Sequence, residues 1–142
     1  MGYVKPTEGL ALIGSTDSGH RVQMDTKKEV GGVIGGPTPM ELVLQAVMGC
    51  TMMDVVSILE KKRIKINDMK IKITATRASD FPMIWTDIHV TYLVWGENIR
   101  VKDLEHAIKL SEEKYCSVGI MLGKASTITS DYRILKPCEI VE

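Results

Sequence analysis

The segment that most constrains the fold begins at Thr38-Pro39-Met40-Glu41. Thr is a good N-cap, Pro suits the first helical position, and a Glu three residues after the cap completes a capping box. A helix is therefore predicted from here to about Lys62. Leu42, Val43, Leu44, Ala46, Val47, Met48, Met52, Met53, Val55, Val56, Ile58 and Leu59 surround most of its axis. A helix apolar on nearly all sides asks to be buried on nearly all sides. At about 1.5 Å per residue it is roughly 36 Å long, which one small domain has trouble enclosing. A second subunit covering part of it would solve the problem.

The chain around it has 142 residues, which suits a single domain, 1–142. Within it, residues 1–36 read as N-terminal strands and a Gly-rich loop, and 37–142 as the core. Hydrophobic residues make up 44% and charged residues 25%, so intrinsic disorder is not expected. Lys plus Arg equals Asp plus Glu at 18 each, and no basic surplus marks a nucleic-acid partner. Gln45, Gly49, Thr51 and Asp54 break the longest apolar runs below the roughly 18 residues of a membrane span. Met1 to Gly14 lacks the pattern of a signal peptide. With only three Cys, the expectation is a soluble, cytoplasmic protein with reduced thiols and no membrane partner.

Leu10 to Ser15 and His20 to Asp25 flank Thr16-Asp17-Ser18-Gly19, a hairpin signal. Gly31, Gly32, Gly35 and Gly36 read as a flexible loop ending at Pro37. After the long helix, Met69, Ile71, Ile73 and Ala75 alternate with polar residues. Ile84, Ile88, Val90, Tyr92 and Val94 do the same, with a turn at Ser79 to Met83. Asp103 to Tyr115 reads as an amphipathic helix with Leu104, Ala107, Ile108 and Ser111 on one side. Ser117 to Leu122 is a short helical turn stopped by Gly123, and Ser126 to Leu135 a last strand. This order predicts an α+β domain, an antiparallel sheet packed around one long central helix.

Candidate chemistry rests on the thiols. Cys50 lies mid-helix in an apolar surround, which by itself favours the neutral thiol. Cys116 stands where a new helix begins, and a helix N-terminus favours a thiolate. For both, a buried cysteine acting as a small hydrophobe is the simpler alternative. Cys138 follows Pro137 near the C-terminus and reads as a bystander. No C-x-x-C or H-E-x-x-H occurs, His20, His89 and His106 are scattered, and the Gly-rich loop lacks the Lys-Ser/Thr of a P-loop. Neither a metal nor a cofactor is expected.

The run Gly36 to Thr51, GPTPMELVLQAVMGCT, together with Tyr115-Cys116-Ser117-Val118, resembles the paired cysteine motifs of the OsmC/Ohr family, the osmotically induced and organic-hydroperoxide-resistance proteins. Gly19-His20 and Asp54-Val55-Val56 look most like a divergent branch of it. The resemblance spans Gly35 to Ile134. It implies an intertwined homodimer with the long helices at its centre, and an oxidative-stress role as a thiol peroxidase. In that picture Cys50 is the peroxidatic thiol and Cys116 the resolving thiol. A small hydroperoxide is the substrate, and a dithiol reductant reverses the resulting disulfide.

The family pairs its reactive Cys with an Arg and an acid, the acid ten residues before the Cys. That position is Met40 here. Glu41 is nine residues before Cys50, on the opposite side of a helix that turns about 100° per residue. It would reach a Cys only across a dimer two-fold. Arg21 is the only Arg before the long helix, with His20, Lys27 and Lys28 as other cationic options. Arg21 and Glu41 complete the candidate catalytic set. The alternatives are a non-catalytic or sensor-type module binding a small apolar molecule, with Met40, Met48, Met52 and Met53 as adaptable lining, or another thiol exchange at the same cysteines.

Overall fold

The computed structural model describes residues 1–33 and 35–141. Its elements run β1 (Gly2–Glu8), β2 (Ala11–Thr16), β3 (Arg21–Met24), a 3-10 turn (Lys28–Val30), α1 (Pro39–Lys61), β4 (Asp68–Arg77), β5 (Trp85–Trp95), α2 (Val101–Leu110), a π turn (Ser111–Tyr115), α3 (Ser117–Leu122) and β6 (Thr127–Leu135). The chain divides into two compact units, Met1–Gln45 and Ala46–Glu142, the boundary falling inside α1.

In the first unit β1, β2 and β3 form an antiparallel sheet in that order. The β2–β3 hairpin is the one expected. Gly19 takes φ +77 and its N–H donates to the Thr16 carbonyl at 2.9 Å. Strand β1 was not expected. It is exposed along its whole length and carries Pro6 beside an irregularity in the ladder, so no alternation betrays it. The Gly-rich loop is less free than its composition implies. Buried Asp25 accepts from the N–H groups of Thr26 at 2.7 Å, Val33 at 2.9 Å and Gly35 at 2.8 Å. A Cβ at Gly32 would stand 2.0 Å from the Thr26 carbonyl oxygen, so only glycine fits there. Ile34 of this loop lies outside the described residues.

Helix α1 starts as its capping box dictates. The Thr38 N–H donates to the Glu41 carboxylate at 2.6 Å, and the Glu41 N–H donates to Thr38 Oγ1 at 3.2 Å. The bond from the Thr38 N–H, and then the nearby Thr38 hydroxyl, hold the Glu41 carboxyl below its usual range.

In the second unit β4 and β5 pair antiparallel, as the alternation implies, but β6 runs parallel to β5. The expected all-antiparallel sheet is corrected to a mixed one. A parallel neighbour needs a long crossover, and α2, the π turn and α3 supply it. The core gathers Val55 and Leu59 of α1, Ile88, Val90, Tyr92, Leu93 and Val94 of β5, and Leu104, Ala107 and Ile108 of α2.

Within one chain α1 buries a single stripe, Val47, Thr51, Val55 and Leu59, at i, i+4, i+8 and i+12. Met53 remains 72% exposed. The helix is thus not enclosed on nearly all sides by its own chain. It is also long and apolar enough, by length and composition, to cross a membrane, although its polar breaks pointed away from a span. Two of those breaks, Thr51 and Asp54, hydrogen-bond to side chains of other elements.

The C-terminal end of α1 is tied to α2. Asp103 accepts from Lys62 Nζ at 3.0 Å and from Arg100 Nε at 2.5 Å. The Lys62 bond, and then the Arg100 bond and charge, hold its carboxyl below the usual range against the opposing effect of burial. A depressed folded pKa stabilises the fold above the unfolded value, about 3.9, and that stability is lost as pH falls through the folded value. Asp103→Asn is therefore expected to flatten the acid limb of a stability-versus-pH curve measured by urea unfolding. An unchanged acid limb would contradict the assignment. Leu59 is fully buried, and Leu59→Ala is expected to cost about 3 kcal/mol in the same assay.

Candidate functional site

Cys50, Asp54 and Cys116 come together in the second unit. Their sulfur and carboxylate donor atoms all lie within 4.8 Å of one another. Cys50 and Asp54 are four residues apart on α1, so they sit one above the other on the same helix face. Cys116 comes from a separate segment, at the junction between the π turn and α3. Widened π turns recur where a helix must re-aim a functional side chain. The cysteines, 66 residues apart in sequence, are thus brought together by two helix-borne segments.

A chain of buried hydroxyls fixes this geometry. Thr51 Oγ1 lies 2.8 Å from Tyr92 Oη and 2.9 Å from Ser111 Oγ, and Ser111 Oγ donates to Asp54 Oδ2 at 2.9 Å. Each hydroxyl has one proton to give. Ser111 spends its proton on Asp54, so it accepts from Thr51, and Thr51 in turn accepts from Tyr92. The chain is directed, Tyr92 to Thr51 to Ser111 to Asp54, and it ends on a carboxylate. Burial pushes the Tyr92 phenol well above its usual range, so it stays a donor at neutral pH. A longer contact, 3.4 Å from Tyr92 Oη to Glu112 Oε1, competes for the same proton. Among the described residues no buried side-chain polar atom lacks a partner.

Cys116 is 2% exposed. Burial is the main cause that pushes its thiol up to about 12, and the neighbouring Cys50 and the Asp54 charge push the same way. The Gly119 N–H, 3.2 Å from its sulfur at the start of α3, opposes them. Burial and anionic neighbours outweigh the helix start, in line with the simpler reading of Cys116 as a buried cysteine at a helix junction. Cys116 therefore keeps its proton at neutral pH.

A cavity of about 640 Å³ reaches Cys116. Its lining combines apolar Val47, Val90, Ile120 and Ile128 with polar Thr51, Tyr92 and Glu112. Asp54 borders a second cavity, of about 310 Å³, with Lys61, Lys62 and Tyr115.

The other sequence candidates lie elsewhere in the chain. Arg21 is exposed on β3, and Glu41 is exposed and engaged in the α1 cap; both belong to the first unit. His20, Lys27 and Lys28 are exposed in that unit as well. Cys138 is exposed after β6 and takes no part in the cluster. Asp54 was missed as a site residue. Its signal was available: an acid four residues after a helical Cys shares that residue's face.

A sequence model described as OsmC-like protein matches residues 31–131. Protein YhfA of Escherichia coli K12 is 41% identical over 134 residues, covering 93% of this chain and 96% of its own. A solved structure from Aquifex aeolicus VF5 superposes with TM-score 0.83 at 29% identity, covering 96% of each chain. The organic hydroperoxide resistance protein OhrB of Bacillus subtilis superposes with TM-score 0.62 at 16% identity, covering 94% of this chain and 98% of its own. At that identity the last likeness speaks for the fold alone.

At pH 8 a thiol titrating near 12 is ionised on the order of one part in ten thousand. Iodoacetamide is therefore expected to alkylate Cys116 at least about a hundredfold more slowly than exposed Cys138. Asp54→Asn removes one repelling charge and is expected to speed Cys116 modification. Peptide mass spectrometry after timed alkylation checks both.

Proposed function

Because the chain belongs to the OsmC-like protein family, we propose that it reduces organic hydroperoxides, with Cys50 as the attacking thiol and Cys116 as the resolving thiol. The observation that carries this reading is the approach of the two sulfurs to within 4.8 Å beside one carboxylate. The division of labour follows from Cys116, which holds its proton at neutral pH.

In this reading the Cys50 proton passes to Asp54, and the thiolate attacks the terminal oxygen of the hydroperoxide. The O–O bond breaks, Cys50 becomes a sulfenic acid, and the departing alkoxide takes the proton from Asp54 to leave as alcohol. The Cys116 thiol then attacks the Cys50 sulfur. A disulfide forms and water leaves with the Cys116 proton. Closing from within 4.8 Å to an S–S bond of about 2.05 Å asks only for local movement at the start of α3 or a rotamer change. An external dithiol restores both thiols by exchange. The apolar residues that line the cavity beside Cys116 suit the organic group.

Asp54 takes the part played by the family's acid, while Glu41 serves the helix cap. Arg21 stays the N-terminal candidate for offsetting the thiolate charge. The uncovered apolar side of α1 is assigned to a homodimer of two 1–142 domains, and the unpaired thiols to a reducing cytoplasm. Sedimentation is expected to give twice 15.8 kDa. The same cavity also suits an apolar ligand bound beside idle thiols, which is the alternative reading.

Treating the reduced protein with tert-butyl hydroperoxide and mapping cross-links by mass spectrometry tests the chemistry. A Cys50–Cys116 disulfide is expected. Cys116→Ser should accumulate a Cys50 sulfenic acid trapped by dimedone, and Cys50→Ser should stop peroxide loss. Neither disulfide nor sulfenic acid in the wild type would falsify the peroxidase reading.

A further inference from the structure

The cluster has a second chemical use that neither the family nor the spacing of its residues announces. We propose that Cys50, Asp54 and Cys116 form a three-ligand site for a thiophilic divalent cation, Zn²⁺ foremost, with one coordination position left open. The proposal requires only reduced thiols and does not rest on the peroxidase reading.

Geometry comes first. A tetrahedral zinc with Zn–S of about 2.3 Å and Zn–O of about 2.0 Å needs donor-to-donor edges of roughly 3.5–3.8 Å. The three donor atoms already lie within 4.8 Å of each other, so a contraction of about 1 Å closes the site. Two ligands stand one helical turn apart on α1, a rigid arrangement that helical zinc sites share. The third comes from a separate segment, so the cation would clamp α1 to the start of α3.

The donor set decides the metal. Two sulfurs and one carboxylate are too soft and too few for Ca²⁺ or Mg²⁺, which take six or more oxygen ligands. Mixed sulfur and oxygen donors in tetrahedral array suit Zn²⁺. As anions the three ligands bring three negative charges, which a dication largely offsets.

The surroundings have the outer contacts that such sites use. Ser111 Oγ donates to Asp54 Oδ2 at 2.9 Å, which holds the carboxylate in place and leaves its other oxygen for the metal. The Gly119 N–H points at the Cys116 sulfur at 3.2 Å, and N–H to sulfur bonds stabilise bound thiolates. The cavity of about 640 Å³ has Cys116 in its lining, which gives water or a small ligand a route toward the cluster. Three protein ligands with an open fourth is the pattern of reactive zinc sites rather than structural ones.

Metal binding and disulfide formation use the same two sulfurs and exclude each other. The experiment keeps them apart by working without oxidant. Reduced full-length protein, held anaerobically, is titrated with Co²⁺ as a spectroscopic probe and then with Zn²⁺ as competitor. One tetrahedral Co²⁺ per chain is expected, with thiolate charge-transfer and d–d bands, displaced by Zn²⁺. Cys50→Ser, Cys116→Ser and Asp54→Asn should each weaken binding by roughly tenfold or more, and Cys138→Ser should leave it unchanged. A wild-type footprint covers the case of a variant that fails to fold: Zn²⁺ should protect Cys50 from alkylation and leave Cys138 reactive. Absence of the bands, a signal that survives loss of Cys50, or one that disappears with Cys138 would overturn the site. Peroxide consumption by metal-free protein is scored separately, so either reading fails on its own result.

Discussion

The hydroxyl of Thr51 is the interaction on which the site depends. Thr51 is the one polar member of the stripe that α1 buries, and it is 3% exposed. Buried without partners its hydroxyl would cost several kcal/mol. Instead it bonds to Tyr92 of β5 and to Ser111 of the π turn. One side chain therefore sets how α1 meets the sheet and the crossover segment together. Cys50 precedes it and Asp54 follows one turn later, so the same bond that fixes the helix fixes the reactive groups. Ser111 carries the constraint on to Asp54, and the helical turn beyond Ser111 ends at Cys116.

This arrangement is unusual for a nucleophilic thiol. Reactive cysteines are normally activated by cations or helix dipoles. Here the groups that act on Cys116, apart from the Gly119 N–H, all favour the neutral thiol. A resolving thiol tolerates that, because it must stay protonated until the sulfenic acid forms. The same crowding of anionic donors is what a soft cation would neutralise. The proposed redox chemistry and the proposed metal binding thus draw on one electrostatic feature of the cluster.

Much of this was legible from residue order. The capping box of Thr38 and Glu41, the alternation in β4 and β5 and the helix restart at Ser117 are local signals that appear where expected. The helix expected over Asp103 to Tyr115 starts at Val101 and gives way to the π turn at Ser111. Strand β1 left no local trace because it buries nothing. The parallel β6 pairing was hidden because a strand's own pattern carries no information about its neighbour's direction. For the site, the motifs carried Cys50 and Cys116. Asp54 and the Tyr92–Thr51–Ser111 chain depend on contacts across 20 to 60 residues, and only the folded unit assembles them. At Cys116 residue order offered both a helix start and a buried cysteine, and burial outweighs the short helix's dipole.

The central claim is that Cys50 reacts first and Cys116 follows. The most direct measurement is the single-turnover rate of the first thiol oxidation by an organic hydroperoxide, compared between the wild type and Cys116→Ser at one pH. The account expects the two second-order rates to agree within about twofold, since Cys116 enters only after the O–O bond has broken. A Cys116→Ser rate reduced as far as that of Cys50→Ser would contradict it and make Cys116 part of the attack.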